Sequence, residues 1–446
     1  MQAASLVIAT AFQYVSVRRF SAAQFSAAQE ERFAPERRFS DFDMAITLSP
    51  STRVNAVIGT GHFLSHYYQL CLPPMFLAWQ SAFGVSFAEL GLSMALMSCA
   101  TGLLQTPVGF LVDRYGARRF LVGGTLLMTL SIAALGFATA YWQVLLLCLL
   151  SGTGNSVIHP TDYAILSGSV ERSRMGRSFA LHTFSGNLGS MLAPPVTAGL
   201  MLLAGWRGTL LVVGLLGIPL VLVILWQSAI LREQVRSRES AHAPTPSARR
   251  LLFTPPMLLF FGFFMLTAVA TGGIQSWLIP VLHAVHGLSL SAASIALTNF
   301  LTGATGGVLL GGWFADRSDR HLAFSVILTI AAAALLLLVA FESMADAATF
   351  GVMFAAGLLI GASRTPRDMM LKDASPPGEI GKVFGFVSAG LPLGGALAPV
   401  PFGYLMDKGR PHLVLVLVAL VLLASLLCVG TARAAAGREA LPAPAE

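Results

Sequence analysis

Twelve apolar segments, each long enough to cross a membrane, constrain this chain more than any other feature. Their limits fall near 54–79, 87–112, 119–140, 142–168, 176–204, 208–231, 256–284, 289–315, 321–342, 347–371, 380–406 and 411–432. A helix rises 1.5 Å per residue, so about 20 residues cover the ~30 Å hydrocarbon core. Hydrophobic residues make up 55% of the 446 positions and charged residues only 11%, against roughly 25% charged in a soluble domain. So few charges could not cover a soluble surface, and a polytopic helical membrane protein follows.

The charges are also unevenly placed. If the amino terminus and alternate loops lie in the cytoplasm, 25 of the 28 Lys and Arg fall inside and only Arg207, Lys408 and Arg410 fall outside. Basic residues held in short loops give the membrane orientation signal, so both termini are expected on the cytoplasmic side. The net charge of +7 therefore reflects topology, and no nucleic-acid partner is expected.

Residues 1–50 carry Arg18, Arg19, Arg32, Arg37 and Arg38 among Ala, Ser and Gln. They are expected to form a disordered cytoplasmic arm, and Met44 is an alternative start. Residues 232–255 are rich in Arg, Ser and Pro and divide residues 51–231 from 256–434, with a tail at 435–446. They read as a linker between two six-helix bundles.

An internal repeat supports that division. Gln69 to Pro74 matches Gln275 to Pro280, shifted by 206 positions, and Asp113-Arg114 matches Asp316-Arg317, shifted by 203. Gly176-Arg177 matches Gly381-Lys382, and Gly189 to Pro194 matches Gly394 to Pro399, both shifted by 205. Parallel repeats of this kind build transporters around a central cavity.

With these features, Gly109-Phe-Leu-Val-Asp113-Arg114-Tyr-Gly116-Ala-Arg118-Arg119 resembles the signature of the major facilitator superfamily between its second and third helices. The resemblance covers roughly 54–434. It implies an all-α membrane protein, with twelve transmembrane helices in two pseudo-symmetric six-helix bundles. A narrower similarity, to fosmidomycin-resistance-type bacterial efflux permeases, rests on Gly152 to Pro160, Gly176-Arg177, Ser185 to Gly189, Gly61-His62 and Leu72-Pro73-Pro74. The resemblance implies that Asp113 and Arg114 stabilise one state of a two-state gate. The companion Gly312, Asp316 and Arg317 form a weaker second copy. Gly109 would allow close helix approach, and Asp113 would accept from a neighbouring helix terminus or an Arg. A plain basic loop with a helix cap is the other reading.

Candidate substrate or coupling residues follow from polar chemistry at membrane depth. His62 and His66 share one face of the first segment, next to Tyr67 and Gln69; a neutral, packed His66 is as reasonable as a functional one. His159-Pro-Thr-Asp162 on the fourth segment stands, by the repeat, opposite Arg364-Thr-Pro-Arg367-Asp368 on the tenth. Asp162 could bridge to Arg364 or Arg367, and either Arg could bind an anion. His182, Asn187, Gln275 and Asn299 are further cavity or packing candidates, whereas Glu89, Glu342 and Asp346 are expected at outer helix ends.

No cofactor or metal is expected. Cys71, Cys99, Cys148 and Cys428 lie in apolar runs without ligand or disulfide spacing. The Gly-rich runs at 303–307 and 390–395 lack the strand and Lys of a phosphate loop and read as close helix packing. The expected function is secondary active transport of a small molecule across the inner membrane by a monomer in the lipid bilayer. Proton-coupled efflux is the preferred mode, with His66, Asp162 or Asp368 as proton sites. Uptake or exchange of a small organic anion is the alternative, and a non-transporting receptor a remote one; no enzymatic constellation is present.

Overall fold

The structure is a computed structural model that describes residues 49–171, 174–232, 252–375 and 380–439. The arm up to residue 48 with Met44, the linker over 233–251, Arg172 and the tail from 440 lie outside the described residues. Among those described, ordered structure is helical throughout. In lipid an isolated strand leaves its backbone polar groups unpaired, while a helix satisfies them internally.

In order, the helices are α1 Pro50–Leu70, α2 Phe76–Phe83, α3 Phe87–Tyr115, α4 Ala117–Leu135, α5 Tyr141–Asn155, α6 Ile158–Ser169, α7 Met175–Leu215 and α8 Gly217–Trp226. After residue 252 come α9 Pro255–His286, α10 Leu290–Ala315, α11 His321–Phe341, α12 Asp346–Asp373, α13 Ile380–Ser388, α14 Gly390–Leu397, α15 Pro399–Asp407 and α16 His412–Glu439. Ten helices or helix runs among the described residues are long and apolar enough to cross a membrane. The longest, Arg177–Trp226, has 50 residues, or about 75 Å if straight. Gly205 breaks it, at φ 62° and ψ 177°, a conformation that side chains with a Cβ avoid. α1 is not among the ten; His62, Ser65, His66 and Gln69 lower its apolarity.

Several expected single segments are interrupted. The fourth is split between Asn155 and Ile158, just before Pro160, and the eleventh runs as α13, α14 and α15, broken near Gly390 and Pro399. Pro removes an N–H and crowds the preceding turn, so breaks gather where Pro and Gly gather.

Close packing is made by small residues. A Cβ on Gly303, Gly307 or Gly311 would meet the carbonyl oxygens of Phe354, Leu358 and Ala362 on α12, and one on Gly357 or Gly361 would meet those of Phe300 and Ala304 on α10. This interlocked α10–α12 face accounts for the 303–307 run as packing. Gly390 and Gly394 approach the α9 backbone near Phe261 and Met265 in the same way.

Contacts between the first and second halves of the chain concentrate toward one end. Asp407 at the end of α15 accepts hydrogen bonds from the backbone N–H groups of Phe87 (2.6 Å) and Ala88 (2.9 Å) at the start of α3. The Trp277 ring lies 5.9 Å from Phe87 and 5.1 Å from Phe76. Nearer the middle, Thr298 donates to the Met191 carbonyl at 3.1 Å, and a Cβ on Gly102 would touch Pro392. α1 and α7 also border a cavity of about 560 Å³ lined by residues that include Thr52, Asn55, Phe63 and Phe184.

Replacing Gly307 by Leu drives a side chain into the α12 backbone, which cannot rotate away as a side chain would. Thermal unfolding in detergent is expected to show a loss of about 3 kcal/mol or more, at the upper end of overpacking costs, or no folded protein at all.

Candidate functional site

The first half of the chain brings four imidazoles and a carboxylate together in one place, His62, His182 and Asp162 buried and His66 and His159 half-buried. α1 supplies His62 and His66, one turn apart; α6 supplies His159 and Asp162; α7 supplies His182. Exposure falls to 4% at His62, 3% at His182 and zero at Asp162. The cluster needs Gly186, because a Cβ there would sit 2.5 Å from a His62 ring carbon and 2.9 Å from His66.

Hydrogen bonds assign most of the ring nitrogens. His62 Nδ1 lies 2.6 Å from the His182 carbonyl and so donates, leaving Nε2 as acceptor. His66 Nε2, 3.2 Å from His62 Nε2, donates to it, and His66 Nδ1 then accepts from the Ser190 hydroxyl at 3.2 Å. His182 Nε2 meets Asp162 Oδ2 at 2.9 Å. Two buried atoms of α6, His159 Nδ1 and Asp162 Oδ1, have no partner among the described residues. Each lost partner costs roughly 1–3 kcal/mol in such surroundings, so the site has room to accept a proton or a donor.

A metal fits this arrangement poorly. Nitrogens of His62, His159 and His182 lie within 4.8 Å of one another. The His62 and His182 rings are nevertheless stacked, with centroids 3.7 Å apart and planes 9° from parallel. An ion about 2.1 Å from both nitrogens would lie in neither ring plane. Coordination would require one ring to turn against its bond to the His182 carbonyl or to Asp162.

The expected bridge from Asp162 to Arg364 or Arg367 is absent, and this corrects the sequence reading. Asp162 pairs with His182, while Arg367 places Nε and Nη2 each 2.9 Å from Asp368 Oδ1 and lies 3.9 Å over the Phe264 ring. Asp162 and Arg367 thus each find a partner within their own half. Arg364 has no hydrogen bond or ion pair among the described residues and lines a cavity in the second half.

The signature stretch also departs from expectation. Asp113 and Asp316 are exposed and unbonded among the described residues. Arg114 lies over its neighbour Tyr115, Arg317 bonds the Trp313 carbonyl at 3.1 Å, and Arg118 donates to the Ser228 carbonyl at 2.9 Å. Arg119 is exposed. Gly109 and Gly312 have open space where a Cβ would be, so neither makes the close helix approach expected of Gly109. Gly116 does carry a backbone role: at φ 94° it ends α3 and returns its N–H to the Val112 carbonyl. The halves are joined at the Phe87 end, and among the described residues Asp113 has no hydrogen-bond or ion-pair partner.

The other candidates scatter. Tyr67 is buried with its hydroxyl 3.4 Å from Thr197, and Asn299 donates back to Ile295 on its own helix at 2.9 Å. Gln69, Asn187 and Gln275 are half-buried and are not part of the histidine cluster. Sequence reasoning missed Ser190, Gly186 and Asp407. The first two are small residues one turn apart on the face of α7 that meets α1, a spacing visible in the chain. Nothing in sequence announces Asp407 as a cap on a helix 320 positions away.

The Major Facilitator Superfamily model matches residues 58–341 and 276–444. The chain belongs to that superfamily. This member is 26% identical over 382 residues to the fosmidomycin resistance protein of Escherichia coli, covering 83% of the chain and 91% of that protein. It is 29% identical over 250 residues to a probable L-galactonate transporter of the same organism, covering 52% of the chain and 54% of that protein, about half the length of each. It is also 25% identical over 344 residues to the membrane sensor protein UhpC of Salmonella typhimurium, covering 72% and 77%. Among solved structures, a bacterial homologue of the lysosomal transporter Spinster, inward-facing and occupied, superposes with a TM-score of 0.68 at 16% identity, covering 88% of the chain and 98% of that structure. A multi-pass membrane protein of a family that handles small-molecule cargo follows.

The Asp162–His182 pair is expected to behave as a unit. His182→Leu alone strands a buried carboxylate and should lower stability by about 3–5 kcal/mol. Adding Asp162→Leu should recover part of that loss, giving a coupling of about 1–3 kcal/mol in a double-mutant cycle read by denaturant unfolding. Additive losses would show that the pair is not coupled.

Proposed function

We propose that the protein is a secondary active transporter, not an enzyme, that moves a small molecule across the inner membrane by alternating access, coupled to protons and running as efflux. On this reading it is a monomer with twelve crossings in two six-helix bundles. α1 supplies one crossing, the run broken at Gly205 supplies two, and both termini face the cytoplasm. The observation that carries the coupling is the buried cluster of His62, His66, His159, His182 and Asp162, in which His159 Nδ1 and Asp162 Oδ1 lack partners. Ionisable groups buried this deep in a membrane bundle typically mark proton or substrate paths.

The rocking step has a physical basis in the asymmetry of the contacts. Asp407 neutralises the amino end of α3, a contact worth about 0.3–1 kcal/mol at an exposed helix terminus. Asp113 and Asp316, at the opposite end, are unengaged. In the reading proposed here the described state is open to the cytoplasm, and the opposite state exchanges the Asp407 cap for partners of Asp113. The similarity to the fosmidomycin resistance protein supports export.

A second reading is uptake or exchange of an organic anion. It is favoured by the unpaired Arg364 and by the L-galactonate named for one relative, which is itself an anion. The sensor relative keeps a non-transporting receptor as a remote third.

Reconstituted vesicles test the main reading. A screen of overexpression strains for resistance supplies the cargo, whose flux is then followed with and without an imposed pH gradient. Flux several-fold faster with the gradient, and independent of it in Asp162→Asn, is the expected result. Equal flux in the wild-type protein under both conditions would sink proton coupling, and no flux of any cargo would leave the receptor.

A further inference from the structure

The repeat aligns the histidine cluster with a different set of residues in the second half. With the offsets read from sequence, His62 corresponds to Ala268, His66 to Gly272 and His182 to Val387. His159 corresponds to Arg364 and Asp162 to Arg367. Three imidazoles are thus replaced by small side chains, and the two groups on the proline-bent helix become guanidiniums. Trimming side chains in a bundle of conserved architecture should leave a void, here with a positive wall.

A void lies beside one of the three trimmed positions, Ala268, whereas Gly272 packs against Gly395 and Ala398 and Val387 sits in the apolar core. A cavity of about 180 Å³ lies between α9, α11, α12, α14 and α16, and its lining includes Ala268, Thr267, Thr271, Thr329, Ser363 and Arg364. Arg367 also borders it but is occupied by Asp368 and by the Phe264 ring. The forked donors of Arg364 are uncommitted among the described residues. Asp368, the nearby carboxylate, is already bonded to Arg367, so the Arg364 guanidinium has no hydrogen-bonded counter-charge of its own among the described residues, and anions offer the geometry that suits it. The hydroxyls of Thr267, Thr271 and Ser363 now donate to carbonyls of their own helices, at 2.9, 3.0 and 2.8 Å. Those carbonyls lie within helices, so each hydroxyl is free to swing toward a ligand.

We propose that this cavity binds the anionic head group of a small organic acid, a carboxylate, sulfonate or phosphonate, with Arg364 as its principal partner. The volume of about 180 Å³ falls below the ~300–1,000 Å³ of a complete drug-sized site. It therefore takes a head group with two or three carbons and leaves the rest of a larger molecule outside. The division of labour is then between the halves, with proton chemistry among imidazoles in the first and charge recognition at Arg364 in the second. The inference rests on the transport reading for its purpose but not for its binding chemistry.

Titration calorimetry and thermal unfolding of the full-length protein in detergent test it, with lactate, sulfoacetate and methylphosphonate as probes and glycerol and ethanolamine as neutral and cationic controls. At least one anion should bind at one per chain and raise Tm, and neither control should. Arg364→Gln should weaken that anion by about tenfold or more, the loss of a charge-assisted contact. Ala268→Leu, which keeps the charge and fills the space, should do the same, so the proposal stays testable if Arg364→Gln fails to fold. No binding of any anion, or equal binding in both variants, overturns it. Anion binding without flux in vesicles supports the site while removing the transport reading. Flux of a neutral or cationic cargo that both variants leave intact, with no anion bound, does the reverse.

Discussion

Water is missing from the hydrocarbon core of a membrane, and a polar atom held there away from any cavity must find its partner within the protein. An unmet donor or acceptor costs several kcal/mol in hydrocarbon, which is why the chain is helical wherever it is described. The same requirement shapes the side chains. His62 turns its Nδ1–H to the His182 carbonyl, His182 turns to Asp162, and His66 is held between Ser190 and His62. Small residues let these groups converge, with Gly186 the point where a methyl group could not be accommodated.

The two halves meet this requirement in different ways. The first fills its interior with imidazoles and one carboxylate, so its polar atoms mostly satisfy one another. The second keeps Arg367 with Asp368 and leaves Arg364 beside a cavity. Homologous frames have thus diverged into a filled site and an open one. Under the proposed proton-coupled reading that separation is useful, because charge changes in one cluster need not desolvate the other. The junction between the halves follows the same rule, since Asp407 provides an acceptor for two N–H groups that α3 itself cannot satisfy.

Much of this was legible in the chain. Helix positions, the basic loops and the repeat depend on local composition and on matching sequence with itself. The polar residues of the cluster stood out individually because ionisable side chains are rare at membrane depth. Their partners did not. Asp162 was read against Arg364 and Arg367 because the repeat sets them at equivalent places. Equivalent positions in two bundles are related by an axis, however, and are not thereby in contact. The choice of His182 depends on how α6 and α7 are rotated about their own axes, which a hydrophobic pattern with only slight amphipathicity does not specify. Gly109 was read as a packing residue by its type, and the space around it is open because its helix end faces away from the junction.

By itself the sequence determined that the protein is a polytopic helical membrane protein with an internal repeat, since apolar length and charge placement act over short stretches of chain. Only the tertiary structure decided which charges pair, which end of the junction is closed and where a guanidinium is left facing an open space. Those outcomes depend on residues hundreds of positions apart meeting within a few ångströms, as Phe87 meets Asp407, and on the orientation of neighbouring helices that brings them there.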